Sequence, residues 1–328
     1  MDAATLQMLR TSLAHVLTEE GDAPLSARLS QLGWEDVLAE DPVQAVQALF
    51  SIRGATLSAA DALGPVLARA VADSTGRPDL AEAIVVLPRG LHPDRLTSRI
   101  DGPRMVADGV ATASPAGRIA IVPVADGGGM RIALPPAGIA WSEDAIEGTD
   151  PSMGLVRISA TFAAPECRWI DGADAEDAWV SCTARARWAL GAELVGIAQH
   201  VIARAVEYTV HRKQYGRAIG TFQALQHRLA SAYASVVGAS DTVAEAAATG
   251  SPWVALVAKA LAGRAAENAC TQAQQSYGAI GFTWEHEFHR YLRRAYVLDW
   301  LLGDWRTLER AIGAHLIDGG AVPLIGSL

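Results

Sequence analysis

The chain has 328 residues, half of them apolar, and a formal net charge of −9. That length holds two or three small domains, or one large layered unit with a full core. The acidic balance excludes nonspecific nucleic-acid binding, because the 27 basic residues never run beyond a pair such as Arg293-Arg294.

The first residues, MDAATLQMLRTSLAHVLTEEG, lack a basic region followed by an apolar run, so no secretory signal is expected. Residues 1–76 are rich in Ala and Leu. Leu6, Leu9, Leu13, Val16 and Leu17 fall at helical spacing, as do Leu57, Ala60, Leu63, Val66, Leu67 and Ala70. Pro24, Gly33 and Pro42 punctuate the connections. This predicts an N-terminal helical domain.

Residues 77–175 change character. β-Branched runs at 83–88, 118–124, 130–135 and 155–162 alternate with Gly90, Gly102, Gly117, Pro135-Pro136 and Asp150-Pro151. The pattern predicts a middle antiparallel β domain. Gly127-Gly128-Gly129 lacks phosphate-loop spacing and reads as a loop between strands.

From 176 to 328 the chain is helical again, with helices expected over 177–212, 223–249, 253–277, 286–301 and about 304–316. Gly250-Ser251-Pro252 is a stop followed by a start. No stretch reaches the roughly 18 to 20 uninterrupted apolar residues of a membrane span. Cys167, Cys182 and Cys270 lie far apart without C-x-x-C spacing, as reduced cytoplasmic thiols do. His286 and His289 find no third ligand at metal spacing, so no metal is expected. Thr283 is expected to cap the helix that follows, with Glu285 and Glu287 in its first turn. Trp284, Trp300 and Trp305 are expected in core or interface packing.

Two segments carry a resemblance. In VHRKQYGRAIGTFQALQHR (210–228), Arg212, Tyr215, Gly216, Ile219, Phe222 and Gln223 match R-x-x-[FY]-G-x-x-I-x-x-[FH]-Q. In QSYGAIGFTWEHEFHRYLRRA (275–295), Gln275, Gly278, Gly281, Phe282 and Glu285 match Q-x-x-G-G-x-G-[FY]-x-x-E. Together they resemble the C-terminal domain of the acyl-CoA dehydrogenases, which are FAD-dependent. The resemblance implies an α+β, mostly α fold: N-terminal helical domain, middle antiparallel β domain and C-terminal helical bundle.

The same resemblance implies a shared cofactor. In the family's tetramers these motifs reach FAD held by the adjacent subunit. Arg212 would pair with the pyrophosphate, Tyr215 and Ile219 would pack near the ADP part, and Gln223 would hydrogen-bond nearby. Gln275, Gly278 and Gly281 would let backbone approach the phosphates. Ala279 departs from the family's second glycine.

The family's catalytic glutamate is missing from both of its locations. One lies 27 residues after the second motif's glutamine and here is Leu302, followed by Gly303. The other lies 26 residues before the first motif's arginine and here is Ala186, followed by a retained Arg187. Neither residue accepts a proton. The family's T-E-P-x-A-G-S-D and W-I-T-N flavin segments are also absent, with AIVVLPRGLHPDRL (83–96) standing near the first. The chain therefore resembles the small subunit of the heteromeric acyl-CoA dehydrogenases of actinobacterial sterol catabolism. The implied partners are a larger paralogous subunit, a steroid-derived acyl-CoA and an electron-transfer flavoprotein or similar acceptor. A homomeric enzyme with a relocated base, and a scaffold without flavin, stay open at this point.

Overall fold

A computed structural model describes residues 1–19, 23–90, 95–127 and 129–321. Gly128 of the expected loop, residues 91–94 of the 83–96 segment and 322–328 of the last zone lie outside the described residues. Contacts cluster the chain into two units. One comprises residues 1–58, 188–299 and 304–328; the other comprises 59–187 and 300–303.

The first unit is helical. Helix α1 (Ala3–Thr18) buries Leu9, Leu13, Val16 and Leu17 and packs on α4 (Pro42–Thr56), with α2 (Leu25–Gln31) and α3 (Trp34–Glu40) between them in sequence. Asp41 caps α4 through the Gln44 amide, and Pro42 takes the first helical position, where its missing N–H costs nothing. The periodic run beginning at Leu57 is broken. Leu57 ends α4 in a left-handed conformation (φ 55°), with its amide bonded back to the Arg53 and Gly54 carbonyls, so Leu57 and Ala60 lie outside the next helix.

Helix α6 (Gly172–His211) continues this unit from residue 188 and meets α4 at two glycines. A Cβ on Gly196 would lie 2.0 Å from the Ser51 carbonyl oxygen, and one on Gly54 2.3 Å from that of Glu193. By length and composition α6 is apolar enough to cross a membrane, but 72% of its most apolar window is buried within the protein, as in a core helix. Helix α7 (Gln223–Thr249) packs along α8 (Pro252–Tyr277), and the left-handed Gly250 with the capping Ser251 makes the corner. Helices α9 (Phe288–Trp300) and α10 (Trp305–Ile317) follow.

The expected start of α9 is corrected. Thr283 does not cap it; its hydroxyl donates to the Ile280 carbonyl instead. The helix begins at Phe288, whose amide bonds to His286 Nδ1, so Glu285 and Glu287 precede the first turn.

The second unit holds α5 (Leu63–Thr75), the first part of α6 and the sheet. The strands are β1 (Ile84–Val85), β2 (Ser98–Asp101), β3 (Arg104–Ala111), β4 (Ala120–Asp126), β5 (Gly129–Leu134), β6 (Ser142–Ala145), β7 (Val156–Ala163) and β8 (Arg168–Ile170), in the order β6-β7-β3-β2-β4-β5-β8. The sheet is mixed, not purely antiparallel as expected. β1 and β2 both run parallel to β4 and follow one another along its edge, pairing at Ala120–Ile121 and at Val124–Ala125. Met105, Ala107, Val122, Val124 and Ile158 form its core.

Candidate functional site

Ala186 and Leu302, the two positions where the resemblance leads one to expect a catalytic carboxylate, both fall in the second unit. Ala186 is fully buried on α6. Leu302 sits in the turn after α9, buried, with a left-handed backbone (φ 60°), followed by Gly303 at φ 105°. Arg187 Nε donates to the Leu302 carbonyl oxygen at 3.2 Å. Arg187, which follows Ala186, thus holds the backbone at Leu302.

The helices flanking this turn are fixed within the first unit. The Asp299 carboxylate accepts from the Trp305 amide at 3.2 Å, and Lys259 Nζ, fully buried, donates to the Asp299 carbonyl oxygen at 2.8 Å. Asp304 caps α10 through the Arg306 and Thr307 amides. Burial pushes the Asp299 carboxyl above its ordinary pKa, against the pull of Lys259. Asp299 and Lys259 drew no attention in the sequence, because their partners lie in a different helix.

The acids nearest the motifs do not resemble a general base, which needs a partly desolvated carboxyl titrating near neutrality. Glu193 is fully buried between Arg53 and Arg294, which also donates to the Ser58 carbonyl oxygen. This is an ion-pair cluster holding α4, α6 and α9 together. Glu207 and Glu287 are exposed and share Arg204. Glu285 is exposed, and a bond from its own backbone amide holds its carboxyl below the usual range.

The first motif leaves α6 and folds into a tight hairpin. Strand β9 (Lys213–Gln214) pairs with β10 (Arg217–Ala218) around Tyr215 (φ 53°) and Gly216 (φ 78°). Two successive left-handed residues define the type I′ turn that matches strand twist, which explains Gly216. The Ile219 amide bonds to the Arg212 carbonyl oxygen at 2.8 Å and closes the loop. Arg212 and Gln223 are exposed, and Ile219 is half-buried. Among the described residues no carboxylate pairs with Arg212. Tyr215 is 92% exposed, its ring edge-on to Phe222, which also carries the Arg217 guanidinium over its face at 4.2 Å.

The second motif leaves α8. Tyr208, one turn before Arg212, packs edge-on against Tyr277 with centroids 5.2 Å apart, so the ends of α6 and α8 meet below the two loops. Gln275 is exposed. Gly278 takes a left-handed φ of 64°, and a Cβ there would face open space. Gly281 is buried for a local reason: a Cβ would lie 3.0 Å from Tyr277 Cβ and 3.2 Å from the Gln274 carbonyl oxygen. Trp284 (74% exposed) and Trp300 are not core residues; His289 and the Arg293 guanidinium pack on the Trp284 ring. Trp305 donates to Glu267. An unpaired guanidinium, an exposed aromatic ring and a left-handed glycine on one bundle end suit an anionic ligand with a flat ring system.

Three comparisons bear on this architecture. Residues 178–317 match the family model "Acyl-CoA dehydrogenase, C-terminal domain". Across nearly the whole chain, the fold is shared with solved acyl-CoA dehydrogenases. The Tcur3481-Tcur3483 steroid ACAD G363A variant has a TM-score of 0.76 at 22% identity, covering 96% of this chain and 98% of that one. The ChsE4-ChsE5 complex from Mycobacterium tuberculosis has 0.76 at 21%, covering 98% and 99%. Residues 178–317 thus belong to the acyl-CoA dehydrogenase C-terminal domain family.

Among curated relatives it is similar to acyl-CoA dehydrogenase IpdE2 of Mycobacterium tuberculosis, 32% identical over 54% of this chain and 52% of that protein. It is also similar to FadE34 of the same organism, 31% identical over 87% of this chain and 41% of that protein. The chain spans about half the length, or less, of these relatives.

Proposed function

We propose that the chain is a subunit of an FAD-dependent acyl-CoA dehydrogenase that completes the cofactor site of a larger paralogous subunit and supplies no catalytic base. Bound FAD supplies the hydride acceptor for α,β-desaturation of an acyl-CoA. The observation that carries the proposal is the turn at Leu302. Both family locations for the proton-abstracting carboxylate hold apolar side chains, and the turn at one of them is held by the bond from Arg187 to the Leu302 carbonyl.

The residues present fit the diphosphate end of FAD. Arg212 would hold the pyrophosphate, Tyr215 and Ile219 the adenosine side, and Gln223 a nearby polar group. Gln275, Gly278 and Gly281 would form the second wall, with Gly278 the member free to let backbone approach. A steroid-derived CoA thioester as substrate, and an electron-transfer flavoprotein or similar acceptor, rest on the resemblance and on the steroid ACAD and two-component complex among the similar structures. Zones 1–76, 77–175 and 176–328 would then correspond to the family's three domains.

The test is the visible flavin spectrum of the chain purified alone and after co-expression with its paralogue. Flavin only in the complex supports the reading. Flavin bound stoichiometrically by the chain alone makes it a self-sufficient flavoenzyme, and a colourless complex makes it a scaffold; either result overturns the proposal.

A further inference from the structure

Helix α9 is held at its start by a histidine. The Phe288 amide, the first of the helix, donates to His286 Nδ1 at 3.1 Å. The usual capping side chains, Ser, Thr, Asp and Asn, offer an oxygen that accepts at neutral and mildly acidic pH alike. An imidazole nitrogen accepts only while the ring is neutral, because a protonated ring has two N–H donors and no acceptor. Protonation would also set a positive charge against the positive pole of the helix dipole. The chain before α9 is thus joined to the helix by a bond that exists in one protonation state of one side chain.

The surroundings keep that ring neutral. His286 is half-buried, its ring over that of Tyr277 on α8 with centroids 4.3 Å apart. Burial pushes its pKa below the ordinary 6.5; Glu287 pulls the other way, and Arg204 and His289 add to the depression. The Glu287 carboxylate is shared with Arg204 of α6 at 3.5 Å, and Arg204 also pairs with Glu207. Tyr277 and, on α8 behind it, Cys270 are both pushed up to about 12 by burial and stay neutral. Tyr208 of α6 packs on the same Tyr277 ring, and Glu285 and Arg290 on either side are exposed. His289 Nδ1 meets the His286 carbonyl oxygen at 2.8 Å; a carbonyl only accepts, so this bond survives protonation of His289. His200 of α6, stacked on Tyr291 at 4.7 Å, is a second histidine whose pKa burial lowers.

We infer that His286 is an acid-sensitive latch: neutral, it fastens residues 278–287 to the start of α9, and protonated, it releases both that segment and the first turn of the helix. The segment carries Gly278, Gly281 and the exposed Trp284. The exposed Arg204–Glu287 pair is too weak to replace the lost bond. Neutral His286 is favoured in the fold, so its contribution is fully present above the ordinary imidazole pKa and is lost as pH falls through the depressed one. The inference stands on the Phe288–His286 bond and does not depend on the cofactor reading.

The test is hydrogen–deuterium exchange of the full chain, read by mass spectrometry on peptides spanning 278–292 and corrected for the intrinsic pH dependence of exchange. Between about pH 7.5 and about pH 5, protection in the parent should fall by about tenfold, the size of one hydrogen bond. In His286→Asn the side-chain oxygen accepts from the same amide two residues on and does not titrate, so protection should hold at both pH values. His286→Leu should be as unprotected at the higher pH as the parent is in acid. His200→Gln should keep the step. A parent without a step, a step of full size in His286→Asn, a step that vanishes in His200→Gln, or His286→Leu as protected as the parent at the higher pH would each overturn the inference.

Discussion

Arg187 and Leu302 are 115 residues apart in sequence, and the Arg187 Nε–H donates to the Leu302 carbonyl oxygen across 3.2 Å. Leu302 and Ala186, the residue before Arg187, are the two positions proposed above for the proton-abstracting carboxylate. In this chain the arginine that follows one place closes the other. The turn it holds is apolar, buried and left-handed at Leu302, and the first carboxyl before it, Asp299, is engaged by the Trp305 amide and near Lys259. The second family feature, the pair of loops at the ends of α6 and α8, keeps an exposed guanidinium.

Arg212→Ala should lower FAD retention in the assembled complex without unfolding the bundle. Its side chain is exposed, so truncation leaves no cavity. A charge-assisted bond to a diphosphate contributes about 1.5 to 3 kcal/mol, or roughly ten- to a hundredfold in the dissociation constant. Equilibrium dialysis of flavin from the variant complex is the measurement, and unchanged occupancy would remove the proposed role.

Glu193→Gln should be among the most destabilising single changes. It leaves Arg53 and Arg294 buried without their shared counter-charge. Breaking a buried ion pair by removing one partner costs about 3 to 5 kcal/mol. Urea unfolding of the variant should show a lowered midpoint, whereas an unchanged midpoint would mean that water reaches the cluster. Any loss of turnover in this variant therefore reports folding, not proton abstraction.

The junction of α8 and α10 should weaken in acid. Burial disfavours a charged Glu267, but hydrogen bonds from Arg306 and Trp305 together outweigh it and hold the carboxyl below its ordinary pKa. A depressed carboxyl stabilises the fold fully above its unfolded pKa, and that contribution is lost as pH falls through the folded value. Glu267→Gln should be less stable than the parent at neutral pH and converge with it in acid. Melting curves that stay parallel at every pH would contradict this.

Much of the helical frame was legible in the sequence. Helix α7 runs over the residues the periodicity marked, because Gly250, Ser251 and Pro252 each have a fixed stereochemical use at a helix corner. Strands β2, β3, β6 and β8 were not legible. β6 is wholly exposed at the sheet edge, where Ser142, Glu143 and Asp144 carry no alternation, as a protected edge strand should. The run from Leu57 to Ala70 looked like one helix because the pattern does not register a single left-handed residue. The Arg53–Glu193 pair, 140 residues apart, and the Arg187–Leu302 bond follow from tertiary packing alone. Counting from motif glutamine and arginine reached Leu302 and Ala186, but not the contact that ties their neighbourhoods together.

The central claim, that this chain supplies no base, is tested most directly by rapid-mixing measurement of flavin reduction by acyl-CoA in the assembled complex. With Glu285→Gln in this chain, the reduction rate should stay within roughly tenfold of the parent, about 1.4 kcal/mol in barrier height. With the paralogue's own catalytic glutamate changed to glutamine, the rate should fall by about 10² to 10⁴. If Glu285→Gln alone abolished flavin reduction while FAD stayed bound, this chain would be the catalytic one and the account would be contradicted.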